Sequence, residues 1–214
     1  NEISKNFNEE KSEVDYLNIC SLSIGIAVAE KSTNKISFAN LYRQADIALY
    51  SAKQLGKNRH AYYHAILQEI KKITLKNIEQ DILSFKKYVF AKERNQSILT
   101  PPERYELAYQ IIKRILSKQK NCRVDIIILA ISSDSYVDQK NIIKESKQSL
   151  KVAIHKSLRA SDFDLEFGGN QFMLILANAS DAVCDRVAAR VIKQHRMESD
   201  EVVEVLYRKA KIIW

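Results

Sequence analysis

Residues 123–131 read RVDIIILAI. A continuous apolar run with no polar alternation suits a strand covered on both faces, at the centre of a sheet. Working outward from it, Asn141 to Leu158 follows with Ile142, Leu150, Ile154 and Leu158 at helical spacing. Phe163 to Phe167 and Gln171 to Ala177 are two short strand-like runs around Gly168-Gly169, a hairpin signal. Ala179 to His195 is a second amphipathic helix, with Val183, Val187 and Val191 on one stripe. From Ser199 onward the sequence SDEVVEVLYRKAKIIW alternates like a strand but is equally compatible with a helix. This half reads strand, helix, strand, strand, helix.

Upstream, Asn18 to Val28 (NICSLSIGIAV) is short and apolar, as expected of a buried strand. Phe38 to Leu55 reads as a helix with Leu41, Ala45, Ala48, Leu49 and Ala52 on one stripe, stopped by Gly56 with Lys53 in its last turn. His60 to Tyr63 reads as a short closing strand. From His64 to about Lys92, Ile66, Ile70, Ile73, Ile78, Ile82 and Phe85 recur near helical spacing, so a long connecting helix is expected. Its a/d register breaks, which argues against a regular coiled coil. Thr100-Pro101-Pro102-Glu103 resembles a helix start, with Thr100 as cap. The expected fold is α/β (α+β): a ferredoxin-like, palm-type mixed antiparallel sheet flanked by helices, with a long connecting helix. Two arrangements fit, a permuted domain closed within one chain or parts of two tandem domains.

The chain has 214 residues, is 46% hydrophobic and carries only 4 Gly and 2 Pro, which suits one or two domains rich in regular structure. No apolar run approaches the length of a membrane span, and the polar N-terminus reads as no signal peptide. Three widely spaced cysteines, Cys20, Cys122 and Cys184, read as reduced thiols of a cytoplasmic protein. The net charge of +8 comes from lysines in mixed-charge stretches such as KNIEQD and KESKQ. Without a dense basic run interleaved with aromatics, this pattern describes solvated helix faces and not a DNA-binding surface.

SIGIA at 23–27 followed by AD-x-ALY-x-AK-x-x-GKN at 45–58, and RASDFDLEFGGNQF at 159–172, resemble parts of the GGDEF domain of bacterial diguanylate cyclases. The resemblance covers residues 18 to 63 and 97 to 196, and the two parts stand in reversed order. It implies that residues 1–63 are the C-terminal portion of such a domain, 64–96 a connecting helix and 97–214 the N-terminal portion of a degenerate one.

The resemblance also implies roles. In the family, the positions of Lys53 and Lys57 hold substrate phosphates, as two ammonium groups at a helix end can. Arg159 and Asp162 stand at the spacing of the family's RxxD inhibitory site for cyclic di-GMP, and Arg190 matches a second arginine of that site. Where the family carries metal-binding carboxylates, this chain has Ala130 and Ser132, and the Gly168-Gly169 hairpin continues as Asn170-Gln171. Mg²⁺ needs hard anionic oxygens, and phosphoryl transfer leans on metal and electrostatic stabilisation. No catalytic residue, metal ligand or cofactor is therefore expected, Mg²⁺ entering only if the parent protein is an active cyclase. Asp134 and Asp138 sit off the matching positions.

The expected function is a regulatory module of cyclic di-GMP signalling, with cyclic di-GMP or GTP as ligand. Two alternatives are a fragment of an active diguanylate cyclase, making cyclic di-GMP from two GTP, and a dimerisation platform with a second copy as partner.

Overall fold

The computed structural model describes residues 2–11, 21–29, 38–96, 102–118, 122–132, 139–198 and 203–212. Its elements run α1 (Glu2–Lys11), β1 (Ile24–Ile26), α2 (Phe38–Gln54), β2 (His60–Tyr62), α3 (Tyr63–Glu93), α4 (Glu103–Lys118), β3 (Val124–Ser132), α5 (Gln139–Ser157), β4 (Phe163–Gly168), β5 (Gln171–Ala177), α6 (Asp181–Glu198) and β6 (Glu204–Ile212). The expected α/β class holds. The chain divides into two units, and the division falls inside α3, between Ile70 and Lys71.

In the first unit, β1 and β2 pair in parallel, Ile24 opposite His60 and Ile26 opposite Tyr62, with α2 as the crossover. Gly25 has a specific reason to be glycine. A Cβ there would stand 2.0 Å from the Ala45 carbonyl oxygen and 2.3 Å from the Leu49 nitrogen, so α2 lies directly on its backbone. The helix buries Ile47, Ala48, Ser51 and Ala52, while the expected Leu41, Ala45 and Leu49 are half-buried. Its inward face therefore includes Ile47 and Ser51, which the three-and-four stripe omitted. The helix ends in a Schellman turn. Lys57 N–H donates to the Ala52 carbonyl at 3.1 Å, Gly56 N–H to Lys53 at 3.4 Å, and Gly56 has φ +109°.

In the second unit, the strand order is β4-β5-β3-β6, every neighbouring pair antiparallel. With the element order β3-α5-β4-β5-α6-β6, this is the ferredoxin-like βαββαβ arrangement. The C-terminal segment that alternation left open is a strand, β6, paired with β3 over its whole length from Val124–Ile212 to Ser132–Glu204. Both edges of β3 are therefore taken, and all nine of its residues are buried. Its even positions, from Val124 to Ala130, pack under Ile78, Ile82 and Phe85 of α3 and Tyr105 and Ile112 of α4. Its odd positions, Ile127, Leu129 and Ile131, pack under Leu150 and Ile154 of α5 and Val187 and Val191 of α6. Strict alternation between two helical layers explains why this strand has no polar face. Asp125 is the exception, and the Arg123 guanidinium grips it through Nε at 2.6 Å and Nη2 at 2.8 Å.

The long helix α3 contributes fully buried side chains to this core from Ile78 onward, with Leu75 partly buried against it, and Ile73 is half exposed. Phe85 meets Tyr105 and Phe167 edge-on, and those two rings stack at 5.3 Å. At the far end of the α3–α4 seam, Glu106 accepts hydrogen bonds from Tyr88 and, at 2.8 Å, Lys92. Tyr109 Oη donates to Glu93 at 2.6 Å. Cys122 and Cys184 are free, and burial pushes the Cys184 thiol up to about 11. Cys20, Thr100, Pro101, Asp134 and Asp138 lie outside the described residues.

Candidate functional site

The end of β3 and the β4–β5 hairpin converge. Ala130 stands opposite Gln171 of β5 and, on its other side, Leu206 of β6. Ile131 N–H donates to the Asn170 carbonyl at 3.0 Å. Ser132 is buried opposite Glu204, and its hydroxyl has no hydrogen-bond partner. The positions singled out from the sequence thus meet at one end of the sheet, offering a methyl group, a hydroxyl and two neutral amides. That donor set does not fit Mg²⁺, which holds its waters tightly and gives them up only to anionic oxygen. Among the described residues, no group of three or more His, Cys, Asp or Glu side chains could hold a metal ion.

The hairpin glycines are not required by backbone conformation, since the only glycine with positive φ is Gly56. A Cβ on Gly169 would meet nothing within 4 Å, and one on Gly168 would rest 3.8 Å from the Arg104 guanidinium carbon. The two-residue connection is thus not the left-handed turn that a Gly-Gly pair suggests. A strand irregularity lies just before the turn, between Glu166 and Gly168.

A cavity of about 380 Å³ opens beside the hairpin, bounded by Asn77 and Asp81 of α3, Arg104 of α4 and Gly168 to Gln171. The Arg104 guanidinium carbon lies 5.4 Å from the ring centres of both Tyr105 and Phe167. Its Nη2 stands 4.0 Å from Asp81 Oδ1, beyond hydrogen-bond range. Its Nε is buried without an acceptor. Asp81 and Arg104 were not singled out in the sequence. The signal available was a polar stripe on α3, Thr74, Asn77 and Asp81 at spacings of three and four.

Arg159 and Asp162 form the turn between α5 and β4. Asp162 N–H donates to the Arg159 carbonyl at 3.0 Å, and Arg159 N–H donates to Asp162 Oδ2 at 3.1 Å. This is a carboxylate closing its own turn. Arg190 of α6 donates from Nη2 to the Ser157 carbonyl, the last residue of α5. The Asp162 carboxylate and the Arg190 guanidinium thus both lie at the C-terminal end of α5, where the Arg159 residue is exposed. Lys53 and Lys57 belong to the first unit. Both are exposed, Lys53 in the last turn of α2 and Lys57 in the left-handed turn after it, with φ 58°.

A separate polar cluster lies between α5 and α6. Ser149 Oγ donates to the Ser146 carbonyl at 3.1 Å and stands 2.9 Å from His195 Nδ1. With its own proton committed, Ser149 accepts Nδ1–H, which leaves the buried Nε2 as a lone pair without a partner.

No family model matches the sequence, and no curated protein matches it. Among solved structures, the chain is similar to the diguanylate cyclase SiaD of Pseudomonas aeruginosa, determined in complex with its activator SiaC. The identity is 17%, the match covers 81% of this chain and 68% of that one, and the TM-score is 0.41. No helix among the described residues is long and apolar enough to cross a membrane.

Proposed function

We propose that the chain is a degenerate GGDEF-type module of cyclic di-GMP signalling that binds its ligand without transforming it. The observation that carries this reading is Ala130 facing Gln171 at the mouth of the hairpin. Where the resembled family needs a carboxylate cage, the described residues here offer Ala130, Ser132, Asn170 and Gln171. Removing the metal's charge from a phosphoryl transfer removes several kcal/mol of transition-state stabilisation, a rate loss of many powers of ten.

The ligand is cyclic di-GMP, taken by Arg159, Asp162 and Arg190. Arginine forks suit both phosphate oxygens and the O6/N7 edge of guanine. Support comes from the Arg190 contact with Ser157, which brings α6's arginine against the end of the helix that Arg159 follows. The two parts of the chain belong to successive domains, because β6 already fills the edge of β3 that a completing strand from residues 21–27 would need. A second reading, a fragment of an active cyclase, is favoured by one observation. Lys53 and Lys57 are exposed at the end of α2, where both could meet a phosphate.

Calorimetry with cyclic di-GMP tests the proposal. Heat is expected with the intact chain and not with Arg159→Ala. Incubation with GTP and Mg²⁺ is expected to give no cyclic di-GMP. The absence of heat at micromolar ligand overturns the binding assignment, and product overturns the inactivity.

A further inference from the structure

We propose that the outer face of α3, from Lys76 to Arg94, docks on an anionic lipid surface. Along the sequence the lysines stand in mixed-charge stretches, but the fold of the second unit gathers cations and exposed apolar side chains on this one face.

Lys76, Leu83 and Phe90 follow at steps of about two helical turns, so they share one stripe of α3. Leu83 is 59% and Phe90 53% exposed, while Ile82, Phe85 and Val89 of the same turns are buried. Lys86 and Lys87 stand between the two exposed apolar side chains, and both are exposed themselves. The Arg94 guanidinium lies 4.1 Å from the centre of the Phe90 ring. Lys211 of β6 joins Lys86, Val89, Phe90 and Ile212 around a recess of about 190 Å³. Among the described residues, none of these five cations takes part in an ion pair. Glu79, a carboxylate on the same stripe, is already held by Arg208 at 2.8 Å. Cations gathered without counter-charges create a positive potential, and the surface that complements it is anionic.

The shape favours a bilayer over a partner helix. The face is the convex side of one helix, and its recess holds about one side chain. A lipid interface needs no matching groove. Leu83 and Phe90 can enter among the acyl chains while the lysine stems lie alongside and carry their ammonium groups to the headgroup phosphates. Each Lys or Arg near an anionic leaflet strengthens attachment by about fivefold. No helix among the described residues could cross the bilayer, so the contact is peripheral.

The test is co-sedimentation of the full chain with vesicles of phosphatidylcholine containing phosphatidylserine, and with vesicles of phosphatidylcholine alone. Binding is expected only to the former, and it is expected to fall as salt rises from about 0.1 M to about 1 M. Lys86→Glu combined with Lys87→Glu is expected to weaken it by about tenfold or more. Leu83→Ser combined with Phe90→Ser is expected to weaken it severalfold and leave its salt dependence in place. All four positions are exposed, and far-UV circular dichroism checks that each variant folds. Lys144→Glu combined with Lys151→Glu changes the net charge equally on exposed positions of α5, which covers the other side of the sheet, and is expected to change binding far less. Equal binding to both vesicles, no binding to either, or the same loss from the α5 pair as from the α3 pair overturns the proposal. So does a dimer in sedimentation velocity without vesicles that Leu83→Ser with Phe90→Ser abolishes, since the face then belongs to a second copy of the chain.

Discussion

Ser149 and His195 meet across the α5–α6 interface, Oγ to Nδ1 at 2.9 Å, in a place where the other ring nitrogen faces no acceptor. A second proton on that ring would be buried without a partner. Burial, and then the nearby Arg196 charge, hold the imidazole below its ordinary value of 6.5. Glu198 pulls the other way, but Lys156 and Gln194 already engage its carboxylate at 2.6 Å.

The unfolded chain therefore takes up this proton more readily than the folded one. The contribution to stability is complete above about pH 6.5 and declines as the pH falls below it. Thermal melts of the parent chain and His195→Gln between pH 7.5 and 5 measure this. The parent's melting temperature is expected to drop over that interval and the variant's to drop less.

Glu106 supplies a second acid-sensitive contact. Lys92 first, then Tyr88 and Gln110, hold its carboxyl down to about 2, against an ordinary value of 4.5. A depressed carboxyl stabilises the fold above its unfolded value and loses that effect as acidification passes from about pH 4.5 towards 2. Glu106→Gln is expected to melt lower than the parent at neutral pH, with the difference shrinking below pH 4. The side chain is more than a third exposed, so screening keeps the effect small.

Gly25→Ala is expected to unseat α2 from β1. The added carbon would collide with helix backbone at 2.0 and 2.3 Å, and backbone cannot swing aside as a flexible side chain can. Overpacking of this kind costs about 1–3 kcal/mol or more. Hydrogen exchange read residue by residue checks it, with protection lost over β1, α2 and β2.

Phe85→Ala and Gly169→Ala form a contrasting pair. Phe85 is fully buried against Tyr105 and Phe167, so truncation is expected to cost about 3–5 kcal/mol in urea unfolding. A methyl group on Gly169 meets open space and no left-handed backbone, so a change within about 0.5 kcal/mol is expected.

The core strand was legible because burial on both faces leaves an unmistakable residue pattern, and Ile126–Ile131 follows it without a gap. The hairpin, α5 and α6 were legible for a similar local reason. The C-terminal strand was not. VEVLYRKAK satisfies both periods, and what decided it was the open edge of β3, a partner more than 70 residues distant in sequence. In the other direction, the apolar run at 18–28 promised more strand than the described residues contain. Only Ile24–Ile26 is paired, because β2 supplies just three residues to pair with. Ile73 fits the helical stripe yet is half exposed, since the layer beneath α3 begins further along. The Asp81–Arg104 cavity was hidden for a different reason. Its walls come from five elements, α3, α4, β3, β4 and β5, and the polar residues on α3 and α4 carry no distinctive pattern by themselves.

Because β6 closes the second flank of β3, the stretch from Lys71 to Ile212 holds a finished sheet with helices over both faces. Such a body carries its own sheet and its own core. Limited proteolysis near the start of α3 should release a resistant fragment of about that length, and gene rearrangements that swap the preceding segment could do so without unravelling it.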